Sequence, residues 1–422
     1  MRLVLLTLSL LSAACTNDLK DSESFFMNPS DSFMLNLAFS CAHEVIPAPS
    51  TEAEIVFKYA RWLQKGNQLK QDRVIDADIE RLYRVAAENG HFKANINLQN
   101  GSLRSRFNLN GSEHLRLSNQ LIEAGVATGY YFVSSFLRDG TAGLKQDQEL
   151  ALRYLRKAAD EGSALAQVYV ADKLAPKNIA PEISRQMRRC AAEQGNGKAA
   201  TALGVNMSTL GRHQEAIEAY QLGVKAGDSS SASFLANGFR GPAPDDRLYY
   251  LGQHQDLERA ARYAKIRQIL SGYSYANPVV PEINDIVPLP PAELPEWDGK
   301  LQWLEARLAN IPPEKPGEAL ITQLANAKKL DPATGKPLPG SPAFSQANFP
   351  VRIRYTGEAC PQSGYWKVIW PPVRAVQKVV IQHFEQGDIF PLQAVERYHI
   401  RPWPLFDKTS RRDEVVKWGL LG

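Results

Sequence analysis

The sequence predicts a mainly α-helical protein, an α-α solenoid followed by a Pro-rich strap and a small C-terminal β-rich module. Three observations support this fold class. Glycines that follow alanine-rich amphipathic stretches recur about every 35 residues, 14 of the 27 prolines lie within residues 278–350, and alternating apolar residues begin after residue 350. These patterns are typical of paired helices, of extended chain and of strands, respectively.

The N-terminus reads MRLVLLTLSLLSAACTND and predicts export. Arg2 precedes an apolar run, residues 3–11, that is too short to span a bilayer, because about 20 apolar residues are needed. Small residues then precede Cys15, and the whole resembles a bacterial lipoprotein signal. The resemblance implies that residues 1–14 are a signal peptide and that Cys15 carries the lipid that anchors the protein to the membrane. Thr16, where an aspartate would retain the protein at the inner membrane, favours the outer membrane.

Five glycines mark a repeat, and each lies between two predicted helices. Their successive spacings are 35, 37, 33 and 32 residues, the period of a helical solenoid. Glycine suits the turn because a left-handed backbone costs it little. One helix pair cannot bury its apolar face alone, so we expect the pairs to stack over residues 76–240. The turn glycines are Gly90, Gly125, Gly162, Gly195 and Gly227.

Small residues flank these glycines, as in KAADEGSALAQ and CAAEQGNGKAA. Small side chains permit close helix approach, and the larger Leu152, Leu155, Val168 and Val170 are expected to fill space between layers. An alanine pair, two polar residues, glycine and spaced alanines together resemble the Sel-like repeat, a relative of the tetratricopeptide repeat. The resemblance implies a scaffold for protein partners and supplies no catalytic residues.

The remaining segments are assigned around the repeats. Residues 15–75 form an N-terminal segment with a capping helix at 51–70, and residues 241–348 form further capping helices and the Pro-rich strap or linker. We expect residues 278–300 to lie as an ordered strap against the solenoid, because proline excludes helix while isoleucines and valines still need burial. A flexible linker is the alternative there. Residues 331–346 are rich in turn formers and are predicted as a linker or loop.

Residues 349–422 are predicted to form the small β-rich module, with strands in VRIRYTGEACP, SGYWKVIW and KVVIQHFEQGDIFP. Turns are expected at Ser363-Gly364 and Gln386-Gly387. CPQSGYW followed by FEQGDIFP resembles a short module at the end of many bacterial immunity proteins. We expect the motif residues to build a turn and a small core rather than to carry chemistry. They are Cys360, Pro361, Ser363, Gly364, Trp366, Phe384, Gly387 and Pro391.

The sequence offers no catalytic or metal-binding constellation, so we expect no enzyme activity, no cofactor and no metal. Seven histidines lack metal-ligand spacing, and neither a phosphate-binding loop nor a nucleophile elbow is present. In CAHE, residues 41–44, a packed cysteine beside a solvent-facing His-Glu pair is favoured over a metal or nucleophile site. With 49 basic and 45 acidic residues, the net charge of +4 is too small to predict a nucleic-acid surface.

Three cysteines remain beyond Cys15. An exported protein can form disulfides, and three cysteines leave at least one unpaired. The sequence does not choose the pair among Cys41, Cys190 and Cys360, and all three as buried thiols is a further alternative.

Several segments together resemble exported Sel-like-repeat proteins that neutralise type VI secretion phospholipase effectors. They are the export signal, YARWLQKGNQLK before the repeats, SYANPVVPEINDIVPLPPAELPEWDGKLQW after them, and the C-terminal motif. The resemblance implies a periplasmic immunity protein whose partner is a cognate effector, preferably a phospholipase D-type enzyme. The alternative is a periplasmic scaffold or regulator of envelope proteins with no toxin target. An envelope enzyme acting through CAHE or the C-terminal module is a third hypothesis.

Overall fold

The computed structural model describes most of the chain, and every described helix and strand lies in one compact unit, Phe39–Gly422. The described residues are 38–175, 180–345, 353–361, 364–371, 380–399 and 408–420. The predicted signal peptide and the predicted lipid site at Cys15 lie outside them. No helix within the described residues is both long and apolar enough to cross a membrane.

An array of helix pairs forms the body of the protein and confirms the predicted α-α solenoid. A first helix, α1, spans Thr51–Asn67, and each later helix of the array packs against the one before it. The pairs are α2 (Arg73–Glu88) with α3 (Phe92–Leu103), α4 (Gly111–Glu123) with α5 (Thr128–Asp139), α6 (Gln148–Asp160) with α7 (Ala164–Leu174), α8 (Pro181–Glu193) with α9 (Gly197–Thr209), and α10 (His213–Lys225) with α11 (Ser229–Gly238).

Aspartate and asparagine side chains define where five of these helices begin. Each accepts a hydrogen bond from a backbone N–H in the first turn, which satisfies a donor that has no partner inside the helix. The capping residues are Asp72, Asn110, Asp147, Asn196 and Asp228. At α4 the bond is reciprocated by Glu113, which completes a capping box. Each cap contributes about 1 kcal/mol to stability.

Small residues dominate the core in the middle of the array. Around the third and fourth turn glycines, Gly162 and Gly195, the buried core residues are mostly alanines, which lets α6–α9 approach closely as predicted. Leu155 is buried, and Val168 and Val170 are half-buried. Leu152 is 54% exposed, so the prediction that it fills space between layers is wrong. Position 152 falls on the outer face of α6, beside the charged side chain of Arg156.

Buried ion pairs join the first helix pair to the second. Arg84 is 3% exposed and contacts Glu80 on α2 and Glu113 on α4, with N–O distances of 3.0 and 2.5 Å. Arg116 on α4 reaches back to Glu88 on α2 at 2.5 Å. α3 and α4 contact each other only a little, so these ion pairs between α2 and α4 provide much of the connection between the two helix pairs. Removing one partner would leave a buried charge uncompensated, which is strongly destabilising.

The proline-rich segment lies against the last helices, which confirms the predicted ordered strap. It follows α12 (Leu257–Gly272) and a 3₁₀ turn, Ser274–Ala276. Its fully buried apolar residues are Val280, Ile283 and Val287, which pack with α9–α12. Within it only one helical turn is described, α13 (Ile283–Ile286). That turn fits between Pro281 and Pro288, so neither ring interrupts a helical hydrogen bond.

After the strap, the chain returns to the start of the array. It forms α14 (Gln302–Ala309) and α15 (Glu318–Ala327). Ile321 and Ala325 of α15 are buried against α1 and α2. The predicted capping helix α1 is therefore itself covered by a helix from the other end of the sequence.

The turn-rich segment after α15 is an ordered loop docked on α2. The Nε of Arg81 donates a hydrogen bond to the carbonyl oxygen of Pro332 at 2.6 Å, and its guanidinium pairs with Glu318 at 2.6 Å. Gly335 approaches so closely that a Cβ would lie 2.7 Å from the Arg81 carbonyl oxygen. A short helix, α16 (Pro342–Ser345), follows. The described part of residues 331–346, predicted as a linker or loop, is therefore an ordered loop.

The C-terminal module contains two antiparallel sheets. The strands are β1 (Ile353–Tyr355), β2 (Gly364–Ile369), β3 (Ile381–Phe384), β4 (Gln393–His399), β5 (Lys408–Glu414) and β6 (Lys417–Leu420). In the first sheet the strand order is β1-β6-β2-β3, and in the second β4 pairs with β5. The turn predicted at Ser363-Gly364 is wrong at Gly364, because that residue begins β2 and pairs with Phe384. The strand predicted from residue 351 is described only over β1.

Candidate partner-binding site

An extended segment, residues 39–50, crosses several helix pairs before α1 begins. A disulfide between Cys41 and Cys190 joins it to the end of α8, with an S–S distance of 2.02 Å. The sequence left the pairing open, and the structure assigns it to these two residues. Cys360 is buried and takes no part in it. The segment is thus fixed to the fourth helix pair by a covalent bond.

The same segment passes directly over the Gly162 turn. A Cβ on Gly162 would lie 2.6 Å from the backbone N of Glu44 and from the carbonyl carbon of His43. The Glu44 carboxylate then accepts hydrogen bonds from the N–H and the hydroxyl of Thr128, at 2.5 and 3.0 Å. It caps α5, whose own N-cap residue, Ala127, has no capping side chain. The segment therefore ties three consecutive helix pairs together.

The CAHE residues, 41–44, connect the extended segment to the helices and do not form a metal site. The possible ligand atoms of Cys41, His43 and Cys190 lie within 4.8 Å of one another, which is the spacing of a metal site. Both sulfurs are consumed by the disulfide, whereas metals bind thiolates. Cys41 is exposed and Glu44 is half-buried against Thr128, so the predicted packed cysteine beside a solvent-facing His-Glu pair is wrong for Cys41 and Glu44.

The five turn glycines all lie between the two helices of a pair and all have positive φ. The values are 81° at Gly90, 74° at Gly125, 106° at Gly162, 87° at Gly195 and 85° at Gly227. The space around them differs. A Cβ would meet nothing within 4 Å at three of them, but it would meet covering backbone at Gly162 and Gly227. At Gly227 the obstacle is the carbonyl oxygen of Pro278 in the strap, 1.8 Å away.

A short bridge connects the strap to the start of the array. At one end of α14, Gln302 N donates a hydrogen bond to Glu282 of the strap at 2.8 Å. Just beyond the other end, Asn310 Oδ1 accepts one from Trp62 Nε1 of α1 at 3.1 Å. An eight-residue helix is about 12 Å long. The two ends of the array are therefore linked by a single short helix.

Aromatic and basic side chains collect at this bridge, and we call them the seam surface. They come from α1, from the chain after α12 and from α14. The seam surface consists of Arg61, Trp62, Lys65, Tyr273, Tyr275, Trp303 and Arg307. Tyr, Trp and Arg are the residue types most enriched at the energetic centres of protein interfaces. Leu308 and Ile311, 65% and 78% exposed, add apolar area beside it.

Arg307 is held among three aromatic rings. Its guanidinium carbon lies 6.0, 5.4 and 5.7 Å from the ring centres of Tyr273, Tyr275 and Trp303. Cation–π contacts of this kind orient a guanidinium without using its N–H groups. In the part of the chain that the structure describes, Arg307 makes no hydrogen bond and no ion pair. Its donors are positioned in advance and remain available.

Positive charge accumulates around Lys65. Partial burial lowers the pKa of its ammonium group, and the nearby positive charges of Arg61 and then Arg307 lower it further. Arg61 donates a hydrogen bond to Gln64 at 2.5 Å. Among the described residues, no carboxylate forms an ion pair with Arg61, Lys65 or Arg307. The seam surface therefore carries uncompensated positive charge.

A cavity of about 730 Å³ lies between α3, α4 and the docked loop that follows α15. Its walls combine the apolar Phe107 and Phe344 with the basic Arg116 and Lys336. The Nε of Arg116 is buried and, within the described ranges, has no hydrogen-bond partner. This volume lies in the range of small-ligand pockets. No seam-surface residue lines the cavity.

The C-terminal motif residues gather around one turn. Cys360 N donates a hydrogen bond to the carbonyl oxygen of Asp388 at 2.6 Å, and Gly387 N donates to that of Cys360 at 2.8 Å. The CP and FEQGDIFP segments thus lie side by side. Pro361 is half-buried and Pro391 is exposed, while Ser363 lies outside the described residues.

Behind that turn lies an aromatic core. Trp366 on β2 is fully buried and Phe384 on β3 nearly so. They pack against Phe390 and Trp418, with ring centres 4.8 Å apart for Trp366–Phe390 and 5.1 Å for Phe384–Trp418. Sequence reasoning missed Phe390 and Trp418, which lie among many other aromatic residues of this module. These contacts give the motif a structural role.

Part of the chain matches a family model. Residues 231–338 match the model described as Domain of unknown function (DUF6396). The match covers the strap, α14, α15 and four seam-surface residues, Tyr273, Tyr275, Trp303 and Arg307. No curated protein matches the sequence of the chain.

Solved structures similar to the chain include two proteins of Pseudomonas aeruginosa. One, protein 5086, is 25% identical, with 60% of this chain and 95% of that chain covered and a TM-score of 0.45. Another, immunity protein Pa5087, is 24% identical, with the same coverage and a TM-score of 0.47. A Sel1 repeat protein from Oxalobacter formigenes is 17% identical, with 51% of this chain and 86% of that chain covered and a TM-score of 0.37. The chain is thus similar to an immunity protein and to a Sel1 repeat protein over half or more of its length.

Proposed function

We propose that the protein is a periplasmic immunity protein that binds and inhibits a phospholipase effector of a type VI secretion system. One observation carries the proposal. The two segments whose sequences resemble such immunity proteins, residues 59–70 and 274–303, are about 200 residues apart in the chain. They meet at the seam surface and supply Arg61, Trp62, Lys65, Tyr275 and Trp303 to it. The resemblance therefore coincides with a surface composed like a protein interface.

An inhibitor of this kind needs a well-packed surface and no catalytic group. Covering the mouth of an active site takes an interface of about 1,600 Å². Protection at low toxin doses calls for nanomolar or tighter binding, about −12 kcal/mol. The seam surface supplies aromatic and arginine anchors, and its framework is braced by the strap and by α15. A rigid surface loses little conformational entropy when it binds.

The choice of a phospholipase D-type target rests on the sequence resemblance alone. A lipase delivered to the periplasm would attack phospholipids there, so an inhibitor tethered at the membrane would meet it where it acts. The disulfide between Cys41 and Cys190 supports an exported location, because disulfides persist in oxidising compartments.

The anchor is tested by Cys15→Ser. The wild-type protein should fractionate with membranes and carry diacylglycerol by mass spectrometry, because two or three acyl chains make release from a bilayer very slow. The variant should be soluble or retain its signal peptide. Unchanged membrane fractionation together with an unmodified Cys15 in the wild type would refute the lipoprotein proposal.

The function is tested first by whether a lipase gene adjoins the gene for this protein, and then by co-expression of the two proteins with the lipase directed to the periplasm. Cells should survive when both proteins are made and die when the lipase is made alone. Purified protein should block lipid hydrolysis at a one-to-one ratio. If the pair neither binds nor protects, the periplasmic scaffold is the better account of the fold.

A further inference from the structure

Several arginines elsewhere in the array pair with carboxylates of the same chain. Arg106 contacts Asp76 at 2.6 Å, and Arg84 and Arg116 take part in the buried pairs described above. At the seam surface, Arg61, Lys65 and Arg307 lie near one another, and none of them has such a partner in the described part of the chain. Three cations placed near one another without a counter-charge repel each other, so their clustering is unfavourable for the isolated protein.

The geometry at Arg307 specifies what would relieve this repulsion. Its side chain is packed among three rings, and its N–H donors are unused. A guanidinium presents these donors as a planar fork that matches a carboxylate with two parallel hydrogen bonds. Lys65 adds a second positive charge nearby, and Leu308 and Ile311 offer apolar contact beside the pair.

We propose that the seam surface receives an acidic segment of the effector, in which an aspartate or glutamate pairs with Arg307. A neighbouring acidic residue approaches Lys65, and an apolar side chain of the same segment packs on Leu308 and Ile311. This inference rests on the proposed function and adds the chemistry of the partner. It also explains why the cations are clustered: their mutual repulsion in the free protein becomes attraction in the complex.

An anionic membrane is the other partner with matching charge, but the surface fits a protein better. The rings are fixed against one another and against Arg307 rather than projecting as separate anchors. Binding to anionic lipid draws on a cluster of four to eight basic residues, and the seam surface has three.

Charge reversal tests the inference. Affinity for the co-encoded lipase is measured for the wild type, for Arg307→Glu and for Lys65→Glu. Lys198→Glu is the matched control, because Lys198 is exposed on α9 and the substitution changes net charge equally. Arg307→Glu should weaken binding on the order of 100-fold or more, and Lys65→Glu about 10-fold. Lys198→Glu should leave affinity unchanged.

Two further measurements keep the result interpretable. Arg307→Gln retains much of the packing among the rings and should still lose affinity for the lipase. Thermal unfolding of every variant shows whether the fold persists. Raising the salt concentration should weaken the wild type more than Arg307→Glu, because an ion pair has been removed from the variant.

The outcomes separate this inference from the proposed function. If the wild type does not bind the lipase, the proposed function fails. If it binds and Arg307→Glu binds equally well, the function stands and the acidic-segment proposal is overturned.

A vesicle experiment tests the membrane as the alternative partner. Vesicles of phosphatidylglycerol and phosphatidylethanolamine are mixed with the full chain carrying Cys15→Ser. Sedimentation that Arg307→Glu abolishes would overturn the proposal in favour of a membrane partner, and no sedimentation would support it.

Discussion

Gly227→Ala is expected to lower the free energy of unfolding by about 3 kcal/mol or more, although it adds a single methyl group. The left-handed backbone at φ 85° costs an alanine about 1 kcal/mol. The added Cβ would also lie 1.8 Å from the carbonyl oxygen of Pro278. That atom belongs to backbone and can move only if the strap lifts. Val280, fully buried, donates its N–H to Lys225 O at 2.9 Å and would be displaced, losing about 2 kcal/mol of burial.

Gly195→Ala is the matched control for this effect. Gly195 has nearly the same φ, 87°, but a Cβ there would meet nothing within 4 Å. It should cost about 1 kcal/mol, the backbone contribution alone. Urea unfolding of both variants measures the difference. Equal losses of stability would show that the strap does not sit on the Gly227 turn.

The turn glycines illustrate what the sequence could and could not predict. Their role follows from a local pattern, because a glycine after each alanine-rich helix signals a left-handed turn. The additional steric requirement at Gly162 and Gly227 depends on chain about 50 to 120 residues away. No periodicity within a repeat could reveal that contact. Composition did predict the strap, because prolines exclude long helices while valines and isoleucines require burial.

The sequence indicates only some of the contacts that build the seam surface. Trp303 and Arg307 are four residues apart, a spacing that places both on one helix face. Their meeting with Tyr273 and with α1 depends on the return of the chain to the start of the array, which α15 and the docked loop secure. The sequence predicts residues 331–346, which form the docked loop, only as a linker or loop, because turn formers by themselves do not reveal what a loop contacts.

The later strands were missed for a different reason. β5 reads KTSRRDE and lacks the apolar alternation that predicts a half-buried strand. It pairs with β4 in a two-stranded ladder, where Arg397 and Glu414 form an ion pair at 2.6 Å. A ladder of polar residues is defined by cross-strand pairing, which a single segment does not display.

Loss of the disulfide between Cys41 and Cys190 is expected to lower the free energy of unfolding by about 2–5 kcal/mol. The bond closes a loop with a sequence separation of 149 residues, and long loops gain most from closure, up to about 5 kcal/mol in the chain-entropy model. The native state also loses a fixed position for residues 39–50. Glu44 would then no longer be held in place to cap α5. Thermal unfolding with and without a thiol reductant measures the change.

The double variant Cys41→Ala/Cys190→Ala identifies the bond responsible. It should match the reduced wild type and be insensitive to reductant, whereas Cys360→Ala should keep the full response. A reductant effect that persists in the double variant would assign it to something other than this disulfide. The disulfide joins residues 39–50 to α8, while the seam surface is built from α1, α14 and the chain after α12. Below its lowered melting temperature, the double variant should therefore bind the effector as tightly as the wild type, which separates stability from recognition.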